Sequence, residues 1–345
     1  MAKIYNWGII GLGKIAHKFA QDILGLKNAK LHAVASRSIE KAKTFADQYQ
    51  ATHHYGSYQE ILGCPDLDVV YIATPHNHHC ENTLMCLEHQ IPVLCEKPFA
   101  MNANEVKRMI TLAQFQKTFL MEALWSRFLP TIKKTLELIE KEKIGEVLSV
   151  KADFGFKADF DPSSRLFNQD LGGGSLLDVG IYPVFLSLLI LGKPKSIKAM
   201  ASIGKSNVDE NCGILLKYED NKMAILDSSI IRKTNTEAFI YGTKGTIRIN
   251  SRWHEPTSLT LMIDGKNPKD IFFDYQSNGY SYEAEAVMQS LKKKKIENEL
   301  MPLDFSLDLI ELLDSIRKEA GIYYPMYDHF EKKIEPDNIL SLIHI

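Results

Sequence analysis

The chain has 345 residues, 45% of them hydrophobic and 24% charged, and its 41 Lys and Arg nearly balance its 43 Asp and Glu. That length exceeds one ordinary core, so two domains are expected, with the composition of a soluble globular protein. The formal charge of −2 gives no electrostatic footprint for nucleic acid and no polybasic arm for a membrane.

The one dense basic run, Lys292-Lys293-Lys294-Lys295, falls at the end of a predicted amphipathic helix, where cations suit the dipole. The five cysteines (Cys64, Cys80, Cys86, Cys95, Cys212) are odd in number and form no Cys-x-x-Cys, which predicts reduced thiols and a cytoplasmic protein. No apolar signal core precedes the first predicted strand. The most apolar stretch, Val179 to Leu191, is shorter than the roughly 20 residues a bilayer-spanning helix needs, so no membrane partner is expected.

In chain order, the apolar run at Trp7-Gly8-Ile9-Ile10 predicts a buried strand, followed by a glycine turn and a helix to about Leu24. Leu31 to Ala35 reads as a second strand, Ile39 to Tyr49 as a helix capped by Ser38, and Tyr58 to Leu62 as a short helix. Strands at 68–73, 92–96 and 118–122 alternate with helices ending near Leu87 and spanning Asn104 to Gln116. Such alternation predicts right-handed βαβ units, hence a parallel, doubly wound sheet over residues 1–125. The rhythm then changes. A helix (131–142), a strand (147–156) and a helix (175–191) lead into successive strands joined by short turns, and helices at 282–293 and 306–320 follow. Residues 126–345 are expected to form an α+β domain with a large, mostly antiparallel, open-faced sheet, its open face covered in a homodimer.

Three clusters carry the chemistry. Gly11-Leu12-Gly13-Lys14-Ile15-Ala16 sits between strand and helix, as a pyrophosphate cradle requires: Gly11 for the turn, Gly13 for close approach, and Ala16 for helix–strand packing. After the second strand stand Ser36, Arg37 and Ser38, with no acid to bind a ribose 2′-hydroxyl. Arg37 and the two hydroxyls suit a 2′-phosphate, so NADP(H) is expected over NAD(H). Polar chemistry then gathers at strand ends: Thr74-Pro75-His76-Asn77-His78-His79, Glu96-Lys97-Pro98, and, in the second domain, Gly172 to Pro183 with Asp178 and Tyr182.

Together these motifs resemble the Gfo/Idh/MocA oxidoreductase family over nearly the whole chain. The run from Met121 to Pro130 and the ending Gly180-Ile181-Tyr182-Pro183 are most similar to its dimeric dihydrodiol dehydrogenase / glucose-fructose oxidoreductase branch. Where many members carry an acid/base His, this chain has Tyr182, as that branch does. The resemblance implies that Lys97 reaches both nicotinamide ribose and substrate, and that Asp178 binds a substrate hydroxyl or orients Lys97. It also implies that Thr74, Pro75, Asn77 and His79 line the nicotinamide side. Glu96 is counted with the cofactor-binding residues, and Trp125 and Arg127, which follow the last strand of the first domain, are expected to face the cofactor or the cleft. Tyr182 is expected to act as proton donor or acceptor if Lys97 lowers its pKa, and Pro98 to shape the turn through a cis bond. Arg165 and Asn168 fall in the specificity loop. His76, His78, His79, Cys80, Cys86 and Cys95 match no zinc spacing, and no metal is expected.

The expected function is NADP(H)-dependent hydride transfer to or from a secondary alcohol or carbonyl of a small diol, sugar or sugar derivative, a polyhydroxylated or dicarbonyl substrate. The alternatives are an NAD-dependent sugar or inositol dehydrogenase, which the missing acid after Ala35 disfavours, and a non-catalytic dinucleotide sensor, which would not need Lys97, Asp178 and Tyr182.

Overall fold

Runs such as Trp7–Ile10 and Val69–Ile72 are buried on both faces, the condition of central strands in a sheet flanked by helices. In the computed structural model, which describes residues 3–328, the first half reads β1 (Tyr5–Ile10), α1 (Lys14–Leu24), β2 (Ala29–Ala35), α2 (Ile39–Tyr49), β3 (His53–Tyr55), β4 (Val69–Ile72), α3 (His79–Glu88), β5 (Val93–Glu96), α4 (Ala103–Gln116) and β6 (Leu120–Ala123). The strands form one parallel sheet in the order β3-β2-β1-β4-β5-β6. The order reverses between β1 and β4, and the crevice beyond their carboxyl ends is where such sheets bind dinucleotides. The edge strand β3 is absent from the sequence reading, and the predicted helix at 58–62 is a 3₁₀ turn at Glu60–Gly63.

The second half reads α5 (Pro130–Glu140), β7 (Val147–Gly155), α6 (Ile181–Leu191), β8 (Ser196–Ile203), β9 (Asp209–Lys217), β10 (Met223–Ser229), β11 (Ala238–Gly242), β12 (Gly245–Ile249), β13 (Leu259–Ile263), β14 (Lys269–Ile271), α7 (Ser281–Lys292) and α8 (Leu303–Ala320). Its eight strands lie in the order β14-β13-β12-β11-β7-β10-β9-β8, antiparallel except for the β7–β10 pair. Period-two alternation gives the sheet two faces. Ala224, Leu226, Ile214 and Leu216 point into the core, while Met223, Ile225 and Leu215 are exposed on the other face.

The predicted helix at 175–191 has a finer structure. A single π turn, Leu176–Gly180, precedes α6, so the helical run covers 175–191, and Gly172–Gly174 separate it from a 3₁₀ turn at Gln169–Leu171. By length and composition the 23-residue segment Gln169–Leu191 could cross a membrane, but 83% of its apolar window is buried inside the fold. Buried Asp209 holds the start of this run: its Oδ2 accepts from Ser175 Oγ and from the Leu176 N–H, both at 2.7 Å. Gly174, at φ +121°, passes so close that a Cβ would strike Asp209 Oδ1.

The later helices return to the first sheet. Asp22 of α1 accepts from the Asn278 and Ser281 N–H groups, both at 3.0 Å, at the start of α7, and the Leu120 N–H of β6 donates to the Ile296 carbonyl. Residues 329–345, included above in the second domain, lie outside the described residues.

Candidate active site

The glycine turn has the geometry its spacing implies. Gly11 adopts φ +88°, and a Cβ there would lie 2.8 Å from the Ala73 and Thr74 backbone, so no other residue fits without displacing β4. Gly13 is the N-cap of α1. Among the described residues, a Cβ on it would meet no atom within 4 Å and no side chain caps the helix, whose first turn holds no acid. Space, unpaired N–H groups and the positive end of a dipole therefore coincide, which fits a pyrophosphate. Lys14 and Ile15 form that first turn, and buried Leu12 offers only its backbone. Ala16 is fully buried, as the packing role requires.

At the end of β2, the Ser36 N–H bonds the Tyr55 carbonyl, and Ser36 Oγ accepts from the Ser38 N–H at 3.3 Å. Ser38 caps α2 by accepting from the Lys41 N–H, while its own hydroxyl donates to Glu40 at 2.8 Å. Arg37 is exposed, and its charge opposes the upward push of burial on the Tyr58 phenol. The Ser38 hydroxyl, read from sequence as a phosphate donor, is thus committed to Glu40. Arg37 and Ser36 are left as the donors at this end.

The ends of β4, β5 and β6 meet the π turn of the second half. Lys97 Nζ donates to the Asp178 carbonyl at 2.6 Å and lies 3.4 Å from Asp178 Oδ1 and 5.2 Å from the centre of the Tyr182 ring. Arg165 grips the same carboxylate with two nitrogens, at 2.7 and 3.3 Å. Burial pushes the Asp178 carboxyl up, but Arg165 and then Lys97 outweigh it and hold the group well below the usual carboxylate range. His76 faces the cluster too: Nδ1 donates to the Gly172 carbonyl at 3.1 Å, and Nε2 is 4.0 Å from Asp178. Burial keeps this imidazole neutral, so Nε2 presents a lone pair. Beside it, the buried Oδ1 of Asn77 lacks a partner among the described residues, an acceptor left over at the expected nicotinamide side. The Lys97–Pro98 peptide bond is cis.

Tyr182 departs from expectation in one respect. Its pKa is not lowered by Lys97; burial first, and then the charge of Glu96, pushes it well above 10. The ammonium faces the ring, and it is the indole N–H of Trp125 that donates to the hydroxyl oxygen, at 2.9 Å. Among the described residues no acceptor takes the hydroxyl proton. Trp125 stacks on Tyr280 at 4.3 Å, and His254 stacks on Phe154 at 3.9 Å and lies 5.2 Å from Tyr182, so an aromatic wall surrounds the phenol.

Other expected contacts fall elsewhere. His79 is fully buried, with its ring nitrogens 2.7 Å from the Pro98 carbonyl and 2.9 Å from that of Thr74. It ties two strand-end loops together and leaves no polar atom for a nucleotide. Thr74 also accepts from Asn82 through its hydroxyl, and half-buried Pro75 starts the next 3₁₀ turn. The Glu96 carboxylate is taken by the Tyr71 hydroxyl and the Lys97 N–H. Arg127 does not join Trp125 in the cleft: two steps along a 3₁₀ turn rotate it away by about 240°, and its Nε donates to the Leu300 carbonyl. Phe154, His254 and Tyr280 were not legible as site residues. They come from a strand end, an inter-strand loop and a helix start, and carry no shared motif.

A dinucleotide cradle on a parallel sheet, facing a cation, a carboxylate and a phenol held by a second sheet, defines an NAD(P)-dependent oxidoreductase. Comparison with known proteins agrees. Residues 5–124 match the model of the oxidoreductase family with an NAD-binding Rossmann fold, and residues 132–248 match the GFO/IDH/MocA C-terminal domain. The chain belongs to the Gfo/Idh/MocA family and is a dehydrogenase/reductase. It is 37% identical over 334 residues to a trans-1,2-dihydrobenzene-1,2-diol dehydrogenase of Xenopus tropicalis, covering 93% of this chain and 99% of that one. The Homo sapiens protein of the same name is 33% identical over 330 residues, covering 93% and 98%. Among solved structures, a 3-ketoreductase from Actinomadura kijaniata with NADP and TDP-benzene has a TM-score of 0.84 at 22% identity. An aldose-aldose oxidoreductase from Caulobacter crescentus reaches 0.85 at 24%. Each covers 92% of this chain and 98% of its own, and at those identities they speak for the fold.

Proposed function

We propose that this chain is an NADP(H)-dependent oxidoreductase acting on a secondary alcohol or carbonyl of a small diol, sugar or sugar derivative. The observation that carries the reading is the convergence of Lys97, Asp178 and Tyr182, with the Tyr182 hydroxyl accepting from Trp125 and donating to no group among the described residues. The named activity of the curated relatives supports the diol class. A bound nicotinamide supplies or accepts the hydride. In carbonyl reduction, Tyr182 gives its proton to the oxygen while Lys97 stabilises the charge developing there. In the reverse direction the substrate hydroxyl would lose its proton to the deprotonated Tyr182 oxygen, the form left when the forward reaction has spent its proton. Asp178 fixes Lys97 and Arg165, and the neutral His76 Nε2 accepts from a second hydroxyl.

Arg37 and Ser36 would take the 2′-phosphate, with Gly11 to Ile15 on the pyrophosphate and Thr74, Pro75, Asn77 and Trp125 toward the nicotinamide. Arg37→Ala is expected to raise the Kd for NADPH by roughly 10- to 100-fold, the worth of a charge-assisted hydrogen bond, and to leave NADH within a few-fold. Fluorescence titration with both nucleotides measures this. Glu40 beside Ser38 favours a second reading, NAD(H), because its carboxylate would repel a 2′-phosphate. Equal affinity of the unaltered protein for NADH and NADPH would establish that reading instead.

The protein would work in the cytoplasm as a homodimer through the open sheet face. Met200, Leu215, Met223, Ile225 and Tyr241 are exposed there, and Leu215 pairs directly with Ile225. Light scattering after size exclusion should give twice the chain mass, falling to the monomer in Ile225→Glu. A monomer in the unaltered protein would remove the dimer.

A further inference from the structure

At the edge of the parallel sheet, away from the cleft, three residues distant in sequence meet. His32 lies in β2, His53 opens β3, and Cys64 follows the 3₁₀ turn at Glu60–Gly63. One ligand atom from each, an imidazole nitrogen or the thiol sulfur, lies within 4.8 Å of the others. The His32 and His53 rings meet edge to face at 4.8 Å.

The state of His32 makes this more than proximity. The residue is 7% exposed, and its Nε2 lies 3.0 Å from the Pro65 carbonyl. A carbonyl only accepts, so Nε2 carries a proton, and in the matching tautomer Nδ1 holds the lone pair. That atom is buried and has no partner among the described residues. A histidine that donates one nitrogen to a backbone carbonyl and keeps the other bare has the orientation metal ligands adopt. Cys64 is also buried, its sulfur 3.6 Å from the same carbonyl, and no disulfide competes for it.

We propose that His32, His53 and Cys64 bind a divalent ion of the zinc type, with water in the fourth position. Two imidazoles and a thiolate form a borderline-soft donor set that suits Zn²⁺ over Mg²⁺ or Ca²⁺. Tetrahedral bonding at about 2.0–2.3 Å sets ligand atoms about 3.3–3.6 Å apart. Half-buried His53 supplies the remaining closure by rotating its side chain. Burial raises the Cys64 thiol pKa, with Tyr55 opposing, and a bound cation would deprotonate the thiol outright. Three strands, β2, β1 and β4, stand between β3 and β5, the strand that Lys97 follows, so the ion takes no part in hydride transfer. It pins β3 and the 63–65 turn to β2, within the same β2–β3 pairing that the Ser36–Tyr55 hydrogen bond extends.

The test uses full-length protein dialysed against a chelator and titrated with Zn²⁺ and Co²⁺. One equivalent should bind, Zn²⁺ should raise Tm, and Co²⁺ should give a thiolate-to-metal charge-transfer band. Cys64→Ser should abolish that band. His53→Ala should weaken binding by at least about tenfold, since even outer-shell changes cost that much. Exposed His54→Ala should leave binding unchanged. Absence of the band in the unaltered protein, its survival in Cys64→Ser, or full affinity in His53→Ala would overturn the site. His53 is the safer position should Cys64→Ser fold poorly, and circular dichroism verifies each variant.

Discussion

Lys97→Met is expected to lower kcat by about 10³-fold while nucleotide binding and the fold survive. The size follows from the loss of a preorganised positive donor at the oxygen where charge develops. The fold survives because Asp178 keeps its bidentate partner: Arg165 still holds both carboxylate oxygens, so no buried charge is left unpaired. What is lost in the ground state is the 2.6 Å bond to the Asp178 carbonyl, a cost of about 1–3 kcal/mol. Steady-state kinetics beside a thermal melt separate the two effects. A near-normal kcat would remove Lys97 from the reaction.

Tyr182→Phe is expected to lower kcat by roughly 10²–10⁴-fold, the range of general acid–base catalysis. It also strands the indole N–H of Trp125, so Tm should fall as well. The pH dependence distinguishes a proton donor from a merely structural tyrosine. Because burial raises this pKa well above 10, the phenol stays protonated as pH climbs through the range where an exposed tyrosine ionises. Carbonyl reduction should therefore show no decline from loss of this proton near pH 10. Alcohol oxidation, which needs the deprotonated acceptor, should rise with pH across the same interval. Tyr182→Phe should flatten that rise; a rise that persists unchanged would assign the proton to another group.

The glycine turn, the strand–helix alternation and the residues at each strand end were legible because they are local. Gly11 and Gly13 serve their neighbours within a few residues, and period-two and period-3.6 patterns need only a short window. Contacts that depend on burial or on distant partners were not. Nothing near Tyr182 in sequence shows that Trp125, 57 residues earlier, donates to its hydroxyl, or that burial outweighs Lys97. His79 reads like a polar ligand at a strand end, yet the two carbonyls that occupy it come from loops that the fold brings together. Three-residue β3 lacks the length to announce itself, and with it went the approach of His53 to His32. Arg127 looked like a cleft residue only because sequence carries no helical phase across a single 3₁₀ turn.

The most direct measurement follows deuterium from NADPH labelled at nicotinamide C4 into a panel of small diketones, sugars and hydroxyketones, with the diols run in reverse. Hydride transfer beside Lys97 and Tyr182 predicts consumption of the reduced nucleotide with one face's deuterium in the alcohol product, and loss of that transfer in Lys97→Met. Tight nucleotide binding with no transfer to or from any member of the panel would contradict it and point to a protein that senses the cofactor without using it.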